Sequence, residues 1–203
     1  MDLVVSASHR GRPREFCTEN ALAAALAVFW RKGYEGASLS DLTDAMGISR
    51  PSLYAAFGNK EALFRQALDL YEREKMAYVG EALAQPTARG VAEYMLMGAL
   101  ERQTSVCDPR GCLGVVSAMQ CGDEAQAIRS EVQARGAAAN EALIARFERA
   151  KIDGDVPPTA DAGGLARLLY AVMQGLAMQA SAGATAAELR SLVDTALQCW
   201  PTR

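Results

Sequence analysis

Residues 36–64 read GASLSDLTDAMGISRPSLYAAFGNKEALF, two short helix patterns separated by glycine-containing breaks. Ser38, with Asp41 three residues on, is an N-cap with an acid placed to bond back to it. It starts a short helix reaching about Met46. Gly47-Ile48 makes a tight turn. Ser49 caps the next helix, through Phe57, and Pro51 lies in its first turn, where no backbone donor is lost. Gly58 breaks the chain again and Asn59 caps a further helix. Leu39, Leu42, Ala45, Ile48, Leu53 and Phe57 can hold the two short helices at a fixed angle. Two short helices on a glycine-containing turn, with a third packed behind, read as a helix-turn-helix.

The second helix of the pair, SRPSLYAAF, is short and lightly charged, with Arg50, Ser52 and Tyr54 near its start. Small side chains allow close approach to a major groove, and N-terminal residues then touch base edges. Asn59 and Lys60 open the next helix, where backbone donors and an ammonium suit a phosphate. The stretch 36–64 resembles the DNA-binding signature of the TetR family of bacterial repressors. The match runs without a gap over roughly residues 15–66. It implies a homodimer on a palindromic operator of double-stranded DNA, with a helical body that binds an inducer. Carried over by position, Arg50, Pro51 and Ser52 fall where the family meets bases, and Tyr54 and Lys60 where it meets phosphate. The chain departs from the family at Ala55 and Ala56, where an aromatic and then His or Tyr are common, so a usual phosphate contact is missing. The candidate DNA-contacting set is therefore Ser38, Arg50, Pro51, Ser52, Tyr54, Asn59 and Lys60, together with Arg12 and Arg14 upstream.

Those two arginines belong to Arg10-Gly11-Arg12-Pro13-Arg14, either an arm for a minor groove or a solvated tail. Residues 1–65 hold eight Lys/Arg and seven Asp/Glu, a balance of +1, and the remainder hold thirteen and seventeen, a balance of −4. The N-terminal third is the anion-facing end of a chain whose net charge is −3. Between arm and motif a first helix fits 15–32, with Leu22, Ala25, Leu26 and Phe29 on one face and Gly33 just beyond it for a left-handed C-cap.

Past the motif the helices lengthen: 59–84, 88–104, 111–121, 124–150, 159–181 and 186–199. With the first three they make about nine. The fold class is all-α: a three-helix DNA-binding domain, and a larger helical domain for effector binding and dimerisation. The divisions are 1–14, a basic arm; 15–66, the helix-turn-helix domain; and 67–203, the body. The segment GGLARLLYAVMQGLAMQASAG, residues 163–183, is apolar on most of its circumference, so a core must cover one face and another subunit the other. With the last helix it forms an intersubunit bundle through Leu165, Leu168, Leu169, Val172, Gly175, Leu176, Leu189, Leu192 and Val193. Large, adaptable or polar-tipped residues of the body are candidates for an effector cavity: Tyr71, Tyr78, Tyr94, Met95, Cys112, Met119, Tyr170 and Met173. Cations are few away from helix surfaces, which favours an apolar effector over a strongly anionic one.

Three of five cysteines lie in CDPRGCLGVVSAMQC, residues 107–121. A metal needs thiolates and imidazoles that converge, and the single imidazole, His9, lies in the tail with no C-x-x-C nearby. No metal site is expected, and no cofactor. In a helix over 111–121, Cys112 and Cys121 are separated by about 13.5 Å and about half a turn net, which bars a disulfide. The DPRG connection leaves a Cys107–Cys112 approach open. Cys112 itself stands near a helix start, two residues after Arg110, and both features favour a reactive thiol. The GCL triplet resembles a branch of the same family that responds to electrophiles through cysteine. A buried small residue starting a helix is the alternative reading.

The composition is half apolar and 6% aromatic, with no period-two alternation, which favours helix over sheet. No run is long enough to span a bilayer, and the N-terminus lacks a signal peptide's apolar segment, so the cytoplasm is expected and no membrane partner. The expected function is a DNA-binding transcriptional regulator, most simply a repressor released by a small apolar effector or by cysteine modification. The rival from another class is a helical enzyme with Cys112 as nucleophile, but it lacks a well-placed base.

Overall fold

The computed structural model describes residues 17–120, 122 and 125–201, with the side chains of 118–120 outside that set. The described residues form ten α-helices: α1 Thr18–Gly36, α2 Leu39–Met46, α3 Arg50–Phe57, α4 Lys60–Lys75, α5 Tyr78–Leu83, α6 Ala88–Thr104, α7 Leu113–Gln120, α8 Gln126–Ile152, α9 Ala162–Ser181 and α10 Ala186–Gln198. Gly33 interrupts α1 at φ 71°, a value glycine adopts without steric cost, and one further turn follows.

The count exceeds nine because the segment expected as one helix over 59–84 divides. Arg102 of α6 donates from Nη1 to the Lys75 carbonyl and to Met76 Sδ. That carbonyl would otherwise accept from Val79 in a continuing α-helix. Val79 N–H turns instead to the Met76 carbonyl (3.0 Å) and Gly80 N–H to Ala77 (3.1 Å), which tightens the chain before α5. The Tyr78 ring then lies on α6 at Gly98, where a Cβ would come within 2.5 Å of it.

Two buried clusters organise the molecule. One fills the head and extends into α4: Phe29 meets Phe64 edge-on at 5.1 Å, and Leu42, Leu53 and Leu63 are fully buried around them. This cluster continues through Leu68 and Tyr71 and takes in Leu113, Ala125 and Ile128 of the body. The second joins α6, α8, α9 and α10 through Leu96, Leu143, Phe147, Leu169, Leu176 and Val193. Leu169, Leu176, Leu189 and Val193, expected at a subunit interface, are therefore sealed in the chain's own core, each at 1% exposure or less. An all-apolar helix must have an inner face, and Leu169 and Leu176 are on that of α9, while Leu189 and Val193 are on the inner face of α10. Leu168, at 49% exposure, points outward, and Leu165, Val172, Gly175 and Leu192 are half-buried. Val172, Gly175 and Leu192, with Ala171 and Ala196, line a shallow groove along α9 and α10. No helix among the described residues is long and apolar enough to cross a membrane.

Candidate nucleic-acid interface and body cavity

The head is held by its caps. Ser38 Oγ accepts from Asp41 N–H (3.0 Å), while Asp41 Oδ2 accepts from Ser38 N–H (3.0 Å) and Lys32 Nζ reaches Asp41 Oδ1 (2.6 Å). Lys32, and after it Ser38, hold the Asp41 carboxyl well below the ordinary carboxylate range. Gly47 ends α2 in the left-handed conformation (φ 65°, ψ 32°). Ser49 caps α3 through Ser52 N–H (3.3 Å), and the two hydroxyls lie 2.9 Å apart. Asn59 Oδ1 accepts from Ala62 N–H (2.7 Å) and caps α4.

The result is a short helix whose Leu53 and Phe57 face the core while Arg50, Pro51, Tyr54, Ala55 and Ala56 form its exposed side. Ser38 and Asn59 use their side-chain oxygens on caps, and the Ser52 hydroxyl meets that of the cap Ser49. Lys60 is half-buried, with Nζ 4.6 Å from the centre of the Tyr34 ring. Burial pulls the Lys60 pKa down, against the field of Glu35. His9, Arg12 and Arg14 lie outside the described residues.

The body contains a cavity of about 700 Å³ between α4–α9. Tyr71, Tyr78, Met95, Cys112, Tyr170 and Met173 line it. Tyr94 does not: it is exposed and its hydroxyl donates to Glu81. Met95, the next residue along α6, is the one that turns inward and is buried. Met119 has its side chain outside the described set. Arg102, Gln103, Glu72 and Arg135, none of them among the sequence candidates, form the polar side of the wall, and Met76 adds to its apolar part. A signal for Arg102 existed: Met95, Ala99 and Arg102 recur at i, i+4 and i+7, placing a cation on the inner stripe of α6.

Cys112 stands just before α7, its carbonyl accepting from Val116 N–H (2.9 Å). Arg110 is turned away from it, donating to the Ala184 carbonyl (3.2 Å). The thiol's neighbour is Tyr71, whose hydroxyl donates to Sγ (3.5 Å) and accepts from Arg102 Nη2 (3.1 Å). Burial pushes the Tyr71 hydroxyl far above the ordinary tyrosine value, and that of Tyr78 up to about 12.

The preceding residue, Gly111, ties this wall to the head. Its carbonyl accepts from Trp30 Nε1 of α1 (3.1 Å) and from Gln103 Nε2 (3.1 Å), and its N–H donates to Gln103 Oε1 (2.7 Å). Gly111 has φ 100°, and a Cβ there would come 2.5 Å from Ser181 Oγ, so only glycine fits. Trp30 also meets Tyr71 edge-on at 4.8 Å. Cys17, Cys107 and Cys199 are exposed and unpaired, and Cys107 is not bonded to Cys112. Cys121 lies outside the described residues. No group of three or more His, Cys, Asp or Glu among the described residues could hold a metal ion.

Comparison with known proteins places both parts. A model of bacterial regulatory proteins of the tetR family matches residues 21–67, and one of the tetracyclin repressor-like C-terminal domain matches residues 95–196. The chain is 32% identical to the HTH-type transcriptional repressor ComR of Escherichia coli (strain K12), covering 95% of this chain and 92% of ComR. Over 61 residues it is 49% identical to the HTH-type transcriptional repressor BdcR of the same organism, 30% of this chain and 31% of BdcR. Among solved structures, a cysteine mutant of the TetR family transcriptional regulator CifR, complexed with 26-base-pair operator DNA, superposes with TM-score 0.88 at 40% identity. That match covers 94% of this chain and all of the CifR chain.

Proposed function

The chain belongs to the tetR family of bacterial regulatory proteins, and on that premise we propose that it is a sequence-specific transcriptional repressor. It binds a palindromic operator as a homodimer and leaves it when a small, mostly apolar molecule occupies the body cavity or when Cys112 is modified. One observation carries this reading: Trp30 of the head donates to Gly111, the residue before Cys112 in the cavity wall. Anything that displaces this wall bears directly on α1. A ligand that prefers one arrangement of the heads must lower affinity for DNA reciprocally.

The solved CifR–operator complex and the repressors ComR and BdcR support DNA as the partner. The outward Leu168 and the groove through Val172, Gly175 and Leu192 support dimerisation through α9 and α10. On this reading Arg50 meets a base and Lys60 a phosphate. Arg50→Ala then relaxes the choice of operator base, and each lost bidentate contact is worth about 1–3 kcal/mol of discrimination. Lys60→Ala weakens binding to all sequences alike and flattens the salt dependence by about one charge. Fluorescence anisotropy against an operator and its single-base variants, over a salt series, reads both. A Lys60→Ala variant that changes base preference and not salt slope contradicts these roles.

A further inference from the structure

We propose that Arg102 is the anchor for a carboxylate, so that the body cavity takes an apolar monocarboxylic acid. The proposal rests on the cavity being the effector site and names the chemistry of what it admits. Glu72 and Arg135, the other charges in the wall, pair with each other at 2.8 Å, and Arg135 also meets Asp69 and Glu131. Their charges are satisfied without a ligand.

Arg102 differs. Its Nη1 donates to the Lys75 carbonyl and Met76 Sδ, and Nη2 to the Tyr71 hydroxyl, while Nε is sealed from solvent without a partner. No carboxylate pairs with it among the described residues. The faces of Trp30 (5.3 Å) and Tyr71 (5.0 Å) and the last carbonyls of α4 offset part of its charge, yet none carries a full negative charge. A guanidinium drawn from water costs free energy unless an anion meets it. Its field also reaches the Tyr78 hydroxyl, which has no hydrogen-bond partner among the described residues and can give one to the same anion. The rest of the wall, with Leu68, Met76, Met95, Leu143 and Met173, is apolar and suits a hydrocarbon or aromatic body. A planar carboxylate matches the fork of an arginine better than a hydroxyl or ester does.

The test compares octanoate with 1-octanol and 4-phenylbutyrate with 4-phenyl-1-butanol on the full chain. Calorimetry and the fluorescence of Trp30, beside Arg102, give the affinities. The acids should bind at least about tenfold more tightly than their alcohols, and Arg102→Gln should remove that gap while leaving the alcohols unchanged. Met76→Glu, which sets a carboxylate against Nη1, should abolish acid binding alone; it serves where Arg102→Gln does not fold. Equal affinity for acid and alcohol overturns the proposal, as does failure of both acids to bind or a gap that survives in both variants. Absence of operator binding by the wild type would sink the regulatory function instead, and leave the acid preference standing.

Discussion

Cys112 shows what one residue can and cannot disclose through its neighbours in sequence. Its place just before a helix is legible in GCL, because glycine followed by a run of small apolar residues marks a helix start. Its electrostatic surroundings are not. Arg110, two residues away, is drawn to the Ala184 carbonyl, and the group that meets the sulfur is Tyr71, 41 positions upstream. Tertiary packing, and not spacing, sets a thiol's partners. Alkylation by N-ethylmaleimide forms a bond from sulfur to a ring carbon and sends the thiol proton to the adjacent carbon. The product fills the cavity and removes Tyr71's acceptor thiol. Titrating the operator complex with this reagent should release DNA from the wild type and leave Cys112→Ser bound. Equal release from both proteins rules Cys112 out as the sensor.

At the scale of elements, the head was readable almost to its ends, since its helices are fixed by local devices. Ser38, Ser49 and Asn59 each cap the helix that the sequence assigns to them, and Gly47 closes the turn. The break at Met76 was not readable. It depends on Arg102, which arrives from another helix to take the Lys75 carbonyl. For α9, apolarity all round predicts two covered faces but not which residues lie on which; Leu169 and Leu176 point in and Leu168 out. The capping box makes a direct prediction. Ser38→Ala lowers unfolding stability by about 1 kcal/mol in urea. Asp41 loses its proton more readily folded than unfolded, so its contribution is full well above its ordinary value of 3.8 and disappears as pH falls below it. Asp41→Asn should flatten stability on that acid side and nowhere else; an unchanged acid slope contradicts the role given to the Lys32–Asp41–Ser38 cluster.

On the scale of the molecule, a head and a cavity are joined through one buried patch: Trp30 of α1, Tyr71 of α4, Gln103 of α6, and Gly111-Cys112 before α7. The head's core does not stop at α4 but continues into α7 and α8. The cavity wall and the head thus share one buried core, the contact through which the proposed effector would act on the head. On the proposed function the exposed side of α3 reads a sequence. A palindromic duplex selected from random DNA, and a shuffled duplex of equal length and composition, should be titrated with the wild-type chain at one salt concentration. One dimer should bind each palindrome, at least about 10³-fold more tightly than the shuffled duplex. Equal affinity for the two would contradict it.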